Sequence, residues 1–377
     1  MKKAAIAGVL LAVFVSGTLV VYSLKKSDPE PLKIGYIGSI SGKFSSLGTS
    51  ARNGAMLAVE ELNSLGGIDG RQIELIIRDD QGEAENTIPI CEEFSEQGIN
   101  LVIGPFTTAS ATRLLPCINE KRILTFGPVT AGENLAGQDD MFIKLFPSTS
   151  EFGAALAELA ADMKIFSMGL INDQKNKPFG DTLISGFKPV FEEKGGRILA
   201  NVDFNSGSPP KFSSLVKEAV KGTPEGVVVI ANAIDTALII QNIQKYSPGT
   251  QVFVSPWSMS ADLINSGGQA VEGTMAYIPF DQHSDAPSYT RFKAAYEERF
   301  KELPPFVAAF NYEAVYLVRS VIEQSASLDP EILKQALLGA GQFKGLQSDY
   351  EFNETGDAIR QLFLYQVNNK TITKIKQ

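Results

Sequence analysis

Thr107, Thr108 and Ser110 come directly after the apolar run 101–103 and the turn Gly104-Pro105-Phe106, and they open a segment of helical period. Hydroxyls and backbone N–H groups that lack a helical partner converge there, and together they suit a carboxylate or another anion. The same residue types are ordinary helix caps, and the sequence admits both readings. A second group of small hydroxyls, Ser39 and Ser41, follows the apolar run that begins at Lys33 and precedes a long amphipathic segment over 46–65. Open α/β sheets bind ligands beyond the carboxyl ends of their strands, so this loop is also a candidate binding loop. Trp257, the only tryptophan, follows the run 251–254 and Pro256. It reads either as a flat apolar wall for a ligand or as an ordinary packed aromatic.

Scarcity narrows the remaining chemistry. With two cysteines and one histidine, Cys91, Cys117 and His283, the chain cannot build a Cys/His zinc cluster, and neither a metal nor a cofactor is expected. A hydrolase is a remote reading: the spacing Gly-x-Ser-x-Gly is not met over 38–42, where Ile40 is central, and His283 would have to be the base. Gly66-Gly67 lacks the Gly-Lys-Ser/Thr ending of a phosphate loop and reads as a helix end that tolerates positive φ, with Ile68-Asp69-Gly70 turning into the next strand. Asp79-Asp80 reads as an acid/base pair or as a solvated, hydrogen-bonded strand end. Cys91 and Cys117 fall in helical segments over 83–97 and 109–120 that flank the third strand on one face of the sheet. A disulfide is open to them, with two buried free thiols as the alternative.

The elements that must position these residues alternate. Strand-like runs at 34–37, 73–78, 101–103, 123–126, 142–145, 167–171, 198–203, 226–230, 251–254 and 274–278 are interleaved with helical segments, which predicts parallel sheets covered by helices on both sides. Ten strands divide better into two sheets of about five, with Phe146-Pro147-Ser148-Thr149-Ser150 as a crossover. After Pro279 come helices over 288–301, 306–324 and 330–338, then hairpin-like pieces at 349–352 and 361–367, with Asn368-Asn369 as a turn before 371–375. Ahead of all this, Lys2-Lys3 and Lys25-Lys26 bracket an uncharged segment, 4–24, long enough to cross about 30 Å of hydrocarbon. It predicts export, as an uncleaved anchor or a cleaved signal peptide, a buried soluble helix being the third reading. Without the four leader lysines, 30 basic residues face 43 acidic ones, a net of −13, so nucleic acid is not expected as a partner.

Several stretches resemble the type I periplasmic binding proteins, specifically the branched-chain amino acid receptors (leucine-binding-protein-like) of ABC importers. They are Ile34-Gly35 through Ser41-Gly42, Arg52-Asn53-Gly54-Ala55, Ala58-Val59-Glu60-Glu61-Leu62-Asn63, Gly66-Gly67-Ile68-Asp69-Gly70-Arg71, Asp79-Asp80 and Val102-Ile103-Gly104-Pro105. Phe179-Gly180, Phe212-Ser213, Glu272-Gly273, Asn311-Tyr312-Glu313-Ala314-Val315, Gly345-Leu346 and Asn353-Glu354-Thr355-Gly356-Asp357 continue the likeness, which covers nearly everything from residue 32 on.

The resemblance implies two doubly wound parallel-sheet lobes joined by a multi-strand hinge. With the leader at 1–30, lobe 1 would comprise 31–147 plus 279–342, and lobe 2 148–278 plus 343–377. It implies ligand carboxylate contacts at Thr107, Thr108 and the loop Pro128-Val129-Thr130-Ala131, an aromatic wall at Phe179, and further contacts at Asn232-Ala233 and Pro256-Trp257-Ser258. Ser41 belongs to the first binding loop.

Two departures stand out. Amino acid receptors of this group carry an acidic residue near Pro256-Trp257 for the ligand ammonium, and neither Asp nor Glu occurs over 251–261; Asp235 and Asp173 are substitutes just after neighbouring strands. Leu47 stands where an aromatic is usual. The implied function is an extracytoplasmic receptor, periplasmic or on the outer face of the membrane, that closes on a small carboxylate or amino-acid-like solute and delivers it to an ABC permease. A sensory clamp feeding a chemoreceptor or kinase is the alternative.

Overall fold

The computed structural model describes residues 29–207 and 212–375. The expected N-terminal helix, as anchor or signal peptide, falls outside these residues. Among the described residues no helix is long and apolar enough to cross a membrane.

The first half runs β1 (Leu32–Gly38), α1 (Ser45–Ser64), β2 (Ile73–Asp79), α2 (Thr87–Glu96), β3 (Leu101–Ile103), α3 (Thr108–Lys121), β4 (Leu124–Gly127) and β5 (Phe142–Lys144). Its strands pair in parallel in the order β2-β1-β3-β4-β5. The chain continues through α4 (Thr149–Asp162), β6 (Ser167–Asp173), α5 (Lys177–Glu193), β7 (Arg197–Phe204), α6 (Phe212–Ala219), β8 (Gly226–Ile230), α7 (Ala233–Tyr246), β9 (Gln251–Val254), α8 (Ala261–Gly267) and β10 (Met275–Ile278). Helices cover both faces of each sheet, which is why β3 and β8 read as unbroken apolar runs, buried at every position. Gly153 and Gly186 let α4 and α5 touch backbone to backbone: a Cβ on either would stand 2.1 Å from a carbonyl oxygen of the other helix.

The remainder is α9 (Pro287–Phe300), α10 (Phe306–Ser325), α11 (Pro330–Gly339), β11 (Gln342–Lys344), β12 (Asp349–Phe352), β13 (Ala358–Ile359), β14 (Phe363–Asn368) and β15 (Thr371–Lys374). Helix α10 packs on α1, so it covers the first sheet although it follows the second in the chain. Strands β14 and β15 join the edge of the second sheet antiparallel to β10, giving the order β15-β14-β10-β9-β8-β6-β7; the second sheet thus has seven strands rather than the expected five or so. The turn also differs from expectation. Asn368 still pairs with Thr371, so the turn residues are Asn369 and Lys370, both at positive φ, and the Glu272 carboxylate accepts both of their N–H groups.

The chain passes between the two sheets three times, after β5, after β10 and before β14. Arg360 ties two passages together. Its Nε donates to Leu145 O at 3.0 Å, its guanidinium pairs with Glu313 at 2.8 Å, and it lies against the rings of Phe310 and Tyr350. Glu313 in turn accepts from the Leu346 N–H.

Candidate ligand-binding cleft

Both parallel sheets reverse strand order at one point, between β1 and β3 in the first and between β6 and β8 in the second. A crevice opens at such switch points, beyond the carboxyl ends of the strands. The loop after β3 is drawn in by Gly104, at φ +117°, whose backbone approaches Ile37 O so closely that a Cβ would stand 2.1 Å from it. Thr107 then caps α3: its Oγ1 accepts from the Ser110 N–H at 3.1 Å and donates to Ser110 Oγ at 2.9 Å. Ser110 Oγ donates to Asp80 at 2.9 Å, and Ser39 Oγ donates to the other Asp80 oxygen at 2.7 Å.

Asp80 is therefore no solvated strand end. It is fully buried and ties the loops after β1, β2 and β3 together. Burial pushes its carboxyl above the usual range, the bonds from Ser39, Gly82 and Ser110 pull it back, and the neighbouring Asp79 charge adds to the rise. Asp79 is the reverse case: burial raises it, but the Ser41 side chain and the N–H groups of Gln81, Ser41 and Ile40 outweigh burial and hold it below the usual range.

Between the two sets of loops lies a hollow of about 30 Å³, walled on one side by Leu47, Phe106, Thr107, Thr108 and Val129 and on the other by Asn176, Phe179, Pro256 and Trp257. Phe146 from the first passage and Phe306-Val307 from the start of α10 complete it. A second cleft of about 130 Å³ adjoins it, sharing Leu47, Phe106 and Trp257 and adding Lys43, Phe44, Asn232, Ala233, Ser260 and Asp262 among others. The Trp257 ring stands 5.2 Å from Phe44 of the first half and 5.8 Å from Phe179 of the second. Polar contacts also cross the cleft: Ala109 N–H donates to Asn176 Oδ1 at 3.0 Å, Glu133 N–H to Thr182 Oγ1 at 3.1 Å, Lys175 pairs with Glu83 at 3.0 Å, and Lys43 stands 3.9 Å from Asp235.

Of the residues singled out in the sequence, Thr107, Thr108, Val129, Phe179 and Trp257 share the inner hollow, while Asn232 and Ala233 line the adjoining cleft. Thr130 lies fully buried beside Val129 without lining the hollow, and its Oγ1 has no partner. Ser41 is exposed and donates its N–H to Asp79, outside both spaces. Asn232 caps α7, accepting from Asp235 N–H at 3.0 Å and donating to the Asp235 carboxylate at 2.7 Å. His283 contacts Gln282, away from the lining.

Asn176, Phe146, Phe306 and Val307 were not foreseen. Pro304-Pro305, which fixes where α10 starts, was the available signal for the last pair; Asn176 carried none. The sulfurs of Cys91 and Cys117 are bonded, their Cα atoms 6.5 Å apart across the contact of α2 with α3.

Residues 31–371 match the family model of the periplasmic binding proteins. A leucine-, isoleucine-, valine-, threonine- and alanine-binding protein of Pseudomonas aeruginosa is 21% identical over 87% of this chain and 87% of its own length. The crystal structure of a leucine-binding protein, LivK, of Thermotoga maritima superposes with a TM-score of 0.85 at 21% identity, covering 92% of this chain and 98% of that one. A solute-binding protein of an ABC transporter from R. palustris, in complex with benzoate, gives 0.83 at 15% identity, covering 92% and 95%. At these identities the structural likeness is one of fold.

Proposed function

The chain belongs to the periplasmic binding protein family, and from that premise we propose that it is an extracytoplasmic solute receptor that closes on a small carboxylate or amino-acid-like ligand and hands the closed form to an ABC import permease. In this reading the segment 4–24 exports the protein or holds it at the outer face of the membrane. One observation carries the proposal: the inner hollow takes its walls from strand-end loops of both sheets, with the start of α3 on one side and Trp257 on the other. The leucine-binding and benzoate-holding relatives agree with a small carboxylate as cargo.

The mechanism is a population shift. Each contact across the cleft is modest: a neutral hydrogen bond contributes about 0.5–1.5 kcal/mol, and an exposed ion pair such as Lys175–Glu83 about 0–1 kcal/mol. Open and closed forms then lie near balance, and a solute that touches both walls favours closure by its differential affinity. The solute's carboxylate would meet the N-terminus of α3, where helix geometry supplies no partner for the Thr108 N–H and the dipole favours negative charge. Phe179 and Trp257 would form its apolar walls.

Calorimetry and thermal shift on the full chain, with a panel of amino acids, aromatic acids, amides and urea, test this. Micromolar or tighter binding of at least one member is expected. No heat and no shift across the panel would refute the proposal.

A further inference from the structure

Among the described residues five aromatic ones line the inner hollow, Phe106, Phe146, Phe179, Trp257 and Phe306, and no carboxylate does. An α-amino acid would carry its ammonium into this space, and a cation withdrawn from water needs an opposite charge.

The neighbouring acids are engaged elsewhere. Asp80 lies beneath the start of α3 and accepts from Ser39, Ser110 and Gly82. Asp235 is held by Asn232 and has the Lys43 ammonium 3.9 Å away, so the protein supplies its own cation there. Asp173 accepts the Lys175 and Ser206 N–H groups on one oxygen and has the other free, but it lines neither the hollow nor the adjoining cleft. Burial pushes its carboxyl upward, against the charged form an ammonium would need. Asp262 lines only the outer cleft, where it is partly exposed and accompanied by Lys43.

The polar groups that do line the hollow suit the other end of an acid. Asn176 accepts from Ala109 N–H through Oδ1, which leaves its amide N–H donors for a ligand, beside the Thr108 N–H.

We propose that the solute is a carboxylic acid with an apolar remainder, aromatic or branched, and no α-ammonium group. This rests on the receptor reading above and narrows it. The carboxylate sits at the start of α3 beside Asn176 and the remainder packs among the rings, which part to admit it because the hollow as it stands is only about 30 Å³; discrimination against amino acids comes from the uncompensated ammonium.

Calorimetry on the full chain with matched pairs tests it: 4-methylpentanoate against leucine and 3-phenylpropanoate against phenylalanine, with benzoate added. The expected result is that at least one des-amino acid binds tenfold or more tighter than its amino acid partner, or that benzoate binds where neither pair does. Leucine or phenylalanine binding as tightly as its des-amino partner, or heat only from other solutes of the wider panel, overturns this solute class and leaves the receptor standing. Silence from every solute removes both.

Discussion

Replacing Phe44 by leucine tests whether the cleft is a moving joint. Phe44 lies between β1 and α1, is 5% exposed, and has its ring 5.2 Å from Trp257 at an interplanar angle of 50°. Leucine keeps most of the apolar area and removes the ring pair, which contributes about 0.5–1.5 kcal/mol beyond area burial. If that contact exists only while the lobes are closed, the loss falls on the closing equilibrium. Solute affinity should then drop about two- to twelvefold, the same free energy expressed as a ratio. Trp257 is the only tryptophan and is 7% exposed in this structure, so its emission reports this one place. Phe44→Leu should shift solute-free emission to the red as opening wets the indole, and saturating solute should restore it. The urea midpoint should stay near that of the parent, because the ring pair that is lost spans the cleft and leucine keeps most of the apolar area. The reasoning is refuted if affinity and emission stay unchanged while the urea midpoint carries the whole loss; the two rings would then belong to one rigid body.

Two further outcomes follow from buried charges. Arg360→Met strips Glu313 of its cation while both sites are nearly buried, so urea unfolding should show a loss of about 3–5 kcal/mol, with Glu313→Gln added on top restoring part of it; a loss well under 1 kcal/mol would mean the pair is not structural. Asp173 carries the opposite sign of pH dependence from an ordinary paired carboxylate. Burial raises its folded pKa above the unfolded value near 4, the Ser206 and Lys175 bonds only partly offsetting this and the Asp235 charge adding to it. The native state therefore holds the extra proton between those two values, and stability falls as pH rises through that window. Asp173→Asn should flatten this fall in urea midpoints measured from about pH 4 to 7, and slopes equal to the parent's would refute the assignment.

Much of the architecture was legible because periodicity records which faces are buried. Strands covered on both sides leave unbroken apolar runs, as at β3 and β8, and the small and apolar residues of α1 mark a helix buried around most of its circumference, between the sheet and α10. Local backbone demands were equally plain: Gly66 and Gly67 end α1 at positive φ, and Thr107 caps α3. What those faces pack against was not written in any local pattern. The edge strands β14 and β15 read as a hairpin, and only the tertiary fold adds them to the second sheet.

The site divides in the same way. By itself, the sequence determined that small hydroxyls and a lone indole follow strand ends, since turn chemistry and capping are local. It left Cys91 and Cys117 open between bond and thiols, and the packing of α2 on α3 decided for the bond. It also placed Ser41 beside Thr107 as a candidate, although Ser41 turns to Asp79 and away from the hollow. The tertiary structure alone brought Asn176 to the start of α3, Phe306 to the same wall, and Asp80 beneath them out of water. The physical reason is that a cleft is assembled from loops whose separation along the chain is set by sheet order, and no local spacing carries that distance.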